Sequence, residues 1–213
     1  MMLNRLTLFL LLCLCGCKES LPIAVGSAEQ PSKVFVQSFH EGIRLKLQGN
    51  YSEAIDRFKL CLENQPADDA THFALAQTYL LLGDLQQAEA HTISAVQADR
   101  DNLFYQVELA YMLREKGEFN EAAELFEVIA ESRSRNTEYF LAAIDCYKRS
   151  GSYSKAIKVI ESLERVKGNH LEAAIRKHRV YLETGRTKEA EKVLMVFYNK
   201  HPKNTMVLAS LVD

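Results

Sequence analysis

The sequence predicts an all-α protein made of stacked helical hairpins, and three observations carry that expectation. Helix formers abound while there are only four prolines and no tryptophan in 213 residues, a usage that suits long helices and not sheets. Gly49, Gly83, Gly117, Gly151 and Gly185 stand 34 residues apart, and Ala54, Ala88, Ala122, Ala156 and Ala190 repeat the same interval. Each glycine lies between two stretches with apolar residues at helical spacing, such as 39–45 and 51–58, which makes each period a pair of amphipathic helices joined at the glycine.

The first element reads as an address. Met1 to Arg5 is short and basic, and Leu6 to Leu14 is an uncharged apolar run. That run is too short to span a bilayer, which takes about 20 apolar residues, and has the length of a signal-peptide core. Leu14-Cys15-Gly16-Cys17 follows at once. This resembles the lipobox of bacterial lipoproteins, in which the final cysteine, here Cys17, becomes the first residue of the mature chain and carries palmitate-type acyl chains. An ordinary secretory signal cut after Gly16 is the alternative. The resemblance implies a signal peptide at 1–16, a lipidated Cys17 and a membrane anchor. Lys18 stands where an Asp would keep such a protein on the inner membrane, so the outer membrane facing the periplasm is implied. Residues 17–34 carry Pro22, Gly26, Ser27, Pro31 and Ser32 with no helical period and read as a flexible tether.

The repeats follow at 35–68, 69–102, 103–136, 137–170 and 171–204. Each glycine can take the left-handed conformation that reverses the chain. The alanine five residues on lets the two helices approach. Asp68, Asn102, Asn136 and Asn204 precede new helices and read as N-caps, each worth about 1 kcal/mol; His170 breaks the series. Residues 205–213, with Met206, Val207, Leu208, Leu211 and Val212, read as a partial sixth repeat or capping helix.

At this grain the chain resembles the tetratricopeptide repeat. Repeat one carries the pattern at Gly42, Leu45, Gly49, Tyr51, Ala54, Phe58 and Pro66, repeat two at Leu75, Ala76, Tyr79, Gly83, Leu85, Ala88 and Ala95, and repeat three at Leu109, Ala110, Leu113, Gly117, Phe119, Ala122 and Phe126. Repeat four keeps Tyr147, Gly151, Tyr153, Ala156 and Ile160, and repeat five keeps Tyr181, Gly185, Ala190, Leu194 and Pro202. Ile144 and His178 take the position that is small elsewhere, which predicts looser last hairpins. The resemblance implies a right-handed α-solenoid of five hairpins plus a short C-terminal helix, with an inner wall lined by the first helix of each repeat.

By the same pattern a protein or peptide ligand would lie along Phe39, Ile43, Phe73, Gln77, Phe104, Val107 and Tyr111, then Arg176 and Arg179. Val36, Leu47, Leu81, Arg114, Leu141, Asp145, Lys148 and Ile175 share that wall. It runs from apolar and aromatic to charged. Several of these side chains, Phe39, Phe73 and Val107 above all, could equally pack between repeats. The carboxylate clamp of some family members is absent, since Phe39 and Ile43 occupy its positions.

The net charge of -2 gives no basic footprint, so no nucleic-acid partner is expected. Repeats one to three carry 9 Lys and Arg against 17 Asp and Glu, and repeats four and five carry 14 against 8. This asymmetry suits orientation of a partner or head-to-tail contact in a homo-oligomer, or is simply a set of solvated faces.

Catalytic chemistry is not legible. No phosphate loop, nucleophile elbow or HExxH motif occurs, His40, His72 and His91 read as far apart on the hairpins, and Cys61 and Cys146 read as core thiols. No enzyme activity, cofactor or metal is expected. The organisation is similar to that of the repeat lipoproteins of type IV pilus assembly. It implies a scaffold that assists assembly of an envelope complex, with a sensory ectodomain or the front of a longer array as the alternatives.

Overall fold

The computed structural model describes residues 32–134, 136–168 and 171–202. The expected signal peptide, the lipidated Cys17, nearly all of the tether and the 205–213 segment lie outside them. Ten α-helices follow one another among the described residues: α1 Lys33–Leu47, α2 Tyr51–Asn64, α3 Asp69–Leu82, α4 Leu85–Ala98, α5 Leu103–Lys116, α6 Phe119–Ile129, α7 Thr137–Arg149, α8 Tyr153–Lys167, α9 Leu171–Glu183 and α10 Thr187–Lys200. They pair into five tandem hairpins, and none is long and apolar enough to cross a membrane.

Local chemistry sets the ends of these helices. The Ser32 hydroxyl accepts from Phe35 N–H at 3.1 Å, so α1 opens at Lys33, and Lys33 and Val34 are helical although the sequence places them in the tether. Asp68 caps α3, Asn102 caps α5 and Asn136 caps α7, each side chain accepting from a backbone N–H of the first turn. At the other end of α3, Gly83 sits at φ 79° and Asp84 N–H reaches back to Tyr79 C=O at 2.9 Å, a left-handed stop that a side chain would strain. The other four glycines of the 34-residue series share that sign of φ. Between α6 and α7 the chain passes through a π-helical turn, Ala130–Ser134.

Packing follows the alanine series. Ala54, Ala88, Ala122, Ala156 and Ala190, one in the second helix of each hairpin, are all 0% exposed, so a side chain larger than a methyl would have to displace its neighbours. Gly42 serves the first hairpin in the same way, since a Cβ there would meet the Phe58 ring at 2.6 Å. Ile144, by contrast, is wholly buried in the core of the fourth hairpin, so its bulk fills space instead of loosening the pair. His178 is half-buried and its Nδ1 is buried without a hydrogen-bond partner.

The core is divided along the chain. One cluster joins Leu45, Ala54, Ile55, Phe58, Ala74 and Leu75 from α1 to α3. A larger one runs from Ala110 through Phe126, Phe140, Ile144, Tyr147 and Leu163 to Val180, and a third holds Ala174, Leu194 and Phe197.

Candidate functional site

The first helices of successive hairpins form one continuous layer, stitched by side chains that reach from each repeat to the next. Lys46 of α1 donates to Gln77 of α3 at 2.8 Å. Phe73 of α3 lies against Tyr105 and Phe104 of α5 with ring centroids 4.8 and 5.1 Å apart. The Tyr105 hydroxyl also donates to Asp69 at 2.8 Å, and burial beside that carboxylate pushes its pKa up. Tyr111 of α5 donates to Glu138 of α7 at 3.4 Å. Arg176 of α9 meets Asp145 of α7 at 2.6 Å, and Lys148 meets Glu183 at 2.8 Å. A 34-residue repeat returns equivalent positions to the same face, so these links recur in register.

The structure assigns the expected wall residues to two kinds of work. Phe39 is half-buried and packs on Phe58 and Phe35, Ile43 packs on the first core cluster, and Val107 packs on the large one. Phe73 is held between repeats, and Tyr111 sits edge-on to the buried Phe126 with the Arg114 guanidinium 4.7 Å from its own ring centroid. Gln77 and Arg176 are occupied by the links above, Arg176 also pairing with Glu172 at 2.7 Å. Phe104 is different, being 55% exposed. Arg179 is exposed as well.

Besides Phe104, the first half of the wall leaves other large apolar side chains in solvent. Leu47 is 80% exposed and Leu81 56%, and Leu80 and Val36 are also open. The second half is ionic. Arg114, Glu115, Asp145, Lys148, Arg149 and Glu183 surround one open pocket there. Sequence reasoning missed Lys46, whose signal was a single charge on an otherwise apolar face of α1.

His72 and His91 correct an expectation. They meet with Nδ1 atoms 3.0 Å apart, although they read as distant in sequence, and no group of three metal-ligating side chains forms among the described residues. The two body cysteines are 0% and 1% exposed. Burial pushes the Cys61 thiol up to about 11 and also raises that of Cys146, which suppresses the thiolate each would need to act as a nucleophile.

Comparison with known proteins agrees with this architecture. Residues 45–108 match the family model of the tetratricopeptide repeat. The crystal structure of MamA superposes with a TM-score of 0.56 at 19% identity, covering 81% of this chain and 94% of that one. YrrB, described as a tetratricopeptide protein with an unusual peptide-binding site, gives 0.56 at 14% identity over 82% of this chain and 90% of its own. The fold is a tetratricopeptide-repeat solenoid. Among curated proteins, Xenopus laevis tetratricopeptide repeat protein 21B is 29% identical over 113 residues, 51% of this chain. The Drosophila melanogaster BBSome complex member BBS4 homologue is 23% identical over 192 residues, 82% of this chain. The matches span only 8% and 39% of those relatives' own lengths. Tetratricopeptide solenoids serve in general as non-catalytic scaffolds for protein–protein interaction.

Proposed function

We propose that this chain is a non-catalytic scaffold that holds a segment of another protein against the concave wall formed by its first helices, and that a lipid on Cys17 anchors it to the bacterial envelope, where it assists assembly of a larger complex. The observation that carries the binding reading is the exposure of large apolar side chains on the first helices: Leu47, Leu81 and Phe104 are each more than half exposed. Exposed apolar surface of this kind is stabilised when a partner covers it, and a groove between repeats suits an amphipathic helix or an extended peptide. YrrB's described peptide-binding site and the BBS4 homologue's membership of a complex support the same reading.

The anchor rests on the Leu14-Cys15-Gly16-Cys17 sequence. Several acyl chains would hold it firmly, each buried methylene contributing about 0.8 kcal/mol. The outer membrane facing the periplasm is the location that Lys18 favours, and the opposed charges of the two halves would suit head-to-tail pairing of copies.

Two measurements test these readings separately. Leu81→Ala with Phe104→Ala should abolish crosslinks to partners in membranes while leaving helicity by circular dichroism intact, and undiminished crosslinking removes the wall from consideration. Metabolic labelling with palmitate should mark the wild-type protein and fail with Cys17→Ser; equal labelling of both rules out the anchor at that residue.

A further inference from the structure

Five Lys or Arg side chains among the described residues are half-buried: Lys46, Arg114, Lys148, Arg176 and Lys177. Four are neutralised where they lie. Arg114 pairs with Glu115 at 3.0 Å, Lys148 with Glu183 at 2.8 Å, Arg176 with Asp145 and Glu172 at 2.6 and 2.7 Å, and Lys177 with Glu161 and Glu164 at 3.1 and 3.2 Å.

Lys46 is the exception. Its Nζ donates to the Oε1 of Gln77 at 2.8 Å, a neutral acceptor, and burial lowers its pKa. An ammonium drawn out of water loses solvation that one amide dipole returns only in part. Its place in the last turn of α1 is favourable to a cation, but the exposed Arg44 has that advantage too, without leaving water or crossing to the next repeat.

The surroundings say what would complete the site. On α1, Ile43 lies about one turn before Lys46, and the exposed Leu47 follows it. On α3, Phe73 and Leu81 lie about one turn to either side of Gln77, on the same face. Lys46 has three N–H donors, of which Gln77 takes one, and the Gln77 amide nitrogen donates to nothing among the described residues. Two sets of unused donors thus meet in the middle of an apolar stretch of wall.

We infer that Lys46 and Gln77 form an acceptor for an acidic side chain of the bound segment, a Glu or Asp carried between bulky apolar residues. Charge complementarity selects a carboxylate. The apolar surface on both sides of the donors selects an internal residue, since a chain-terminal carboxylate would have apolar neighbours on one side only. Seating it would give the unused Lys46 N–H donors an ionised acceptor, which returns more of the lost solvation than a neutral amide does. The inference rests on the wall being the partner-binding surface.

The probe is a library of randomised synthetic peptides, acetylated and amidated so that no terminal carboxylate remains, selected on the immobilised full chain alongside a matching library with free C-termini. The wild-type chain should recover capped peptides that carry Glu or Asp between Leu, Ile or Phe. Exchanging that acid for its amide should weaken binding to the wild type about tenfold, as expected when the acceptor of one hydrogen bond loses its charge, and leave binding to Lys46→Met unchanged. Lys46→Met should melt no lower than the wild type, which keeps a folding defect out of the comparison. Acid and amide peptides that bind alike, or an acid preference that survives in Lys46→Met, overturns the carboxylate site and leaves the wall standing. A clear preference for free C-termini overturns the choice of an internal residue. Recovery of no apolar peptide from either library sinks the wall and this site together.

Discussion

The carbonyl of Pro66 fixes the protonation of two histidines. It can only accept, and His72 Nε2 lies 2.9 Å from it, so that nitrogen carries the proton of the neutral ring. His72 Nδ1 is then a bare acceptor, and the 3.0 Å contact is donated by His91 Nδ1–H. His91 in turn stacks on Tyr79, centroids 5.6 Å apart. Burial first, then His72 and then Lys59, holds the His91 pKa below its ordinary 6.5. The unfolded chain therefore takes up this proton before the folded one does as pH falls. Stability from the His91 shift is present in full above the ordinary value and declines as pH drops through it towards the lower folded value. The melting temperature should fall on acidification from about pH 8 to about pH 5, and His91→Phe, which keeps a ring on Tyr79 without a titrating group, should flatten that slope. An equal slope in the variant removes His91 as its source. None of this was legible in the sequence, because the two residues are 19 positions apart on different helices and only the crossing of α3 and α4 brings them together. Lys46 was hidden for a similar reason: the sequence shows its charge, and only the structure shows that Gln77 is what it meets.

At the scale of the element, the hairpin was the most legible object. A glycine that stops one helix, an alanine that lets the next cross it and an apolar face on each leave marks at fixed spacing, and all three depend on backbone geometry that distant residues scarcely alter. The departures are where side chains decide. Ser32 starts α1 two residues early through a hydroxyl cap, and Ile144 takes a small-residue position because the fourth hairpin has room to bury it. Two substitutions separate these influences. Gly42→Ala should destabilise the first hairpin by about 1–3 kcal/mol, as overpacking does, because its new methyl meets the fully buried Phe58 ring. Ala156→Leu should destabilise by a similar ~1–3 kcal/mol at the crossing of α7 and α8. Urea denaturation followed by circular dichroism reads both, and a neutral Gly42→Ala shows that Phe58 can swing aside.

Across the whole molecule, a row of hairpins touches only its neighbours, so stability is local and its weakest joint can be located. The cluster of α1 to α3 and the large cluster centred on α6 to α8 are separated by α4, whose buried residues are Ala88, Thr92 and Ala95, with no large side chain to lock them. Across that joint run the contacts of Phe73 with Tyr105 and Phe104, the 2.8 Å bond from Tyr105 to Asp69, the Thr92 hydroxyl donating to the Met112 sulfur at 3.4 Å and the 2.9 Å ion pair of Lys116 with Glu89. Exposed pairs of the last kind contribute little, about 0–1 kcal/mol. The first two hairpins should therefore open without the rest. Leu75→Ala, which deletes a side chain that is 0% exposed, should destabilise by about 2–5 kcal/mol. Hydrogen exchange should then quicken in α1 to α4 while the amides of α6 to α8 keep their wild-type protection. The same joint makes the exposed half of the wall, which lies on the first two hairpins and at Phe104, the half best able to adjust to a partner. Uniform loss of protection along the chain would instead show that the hairpins fold as one cooperative unit.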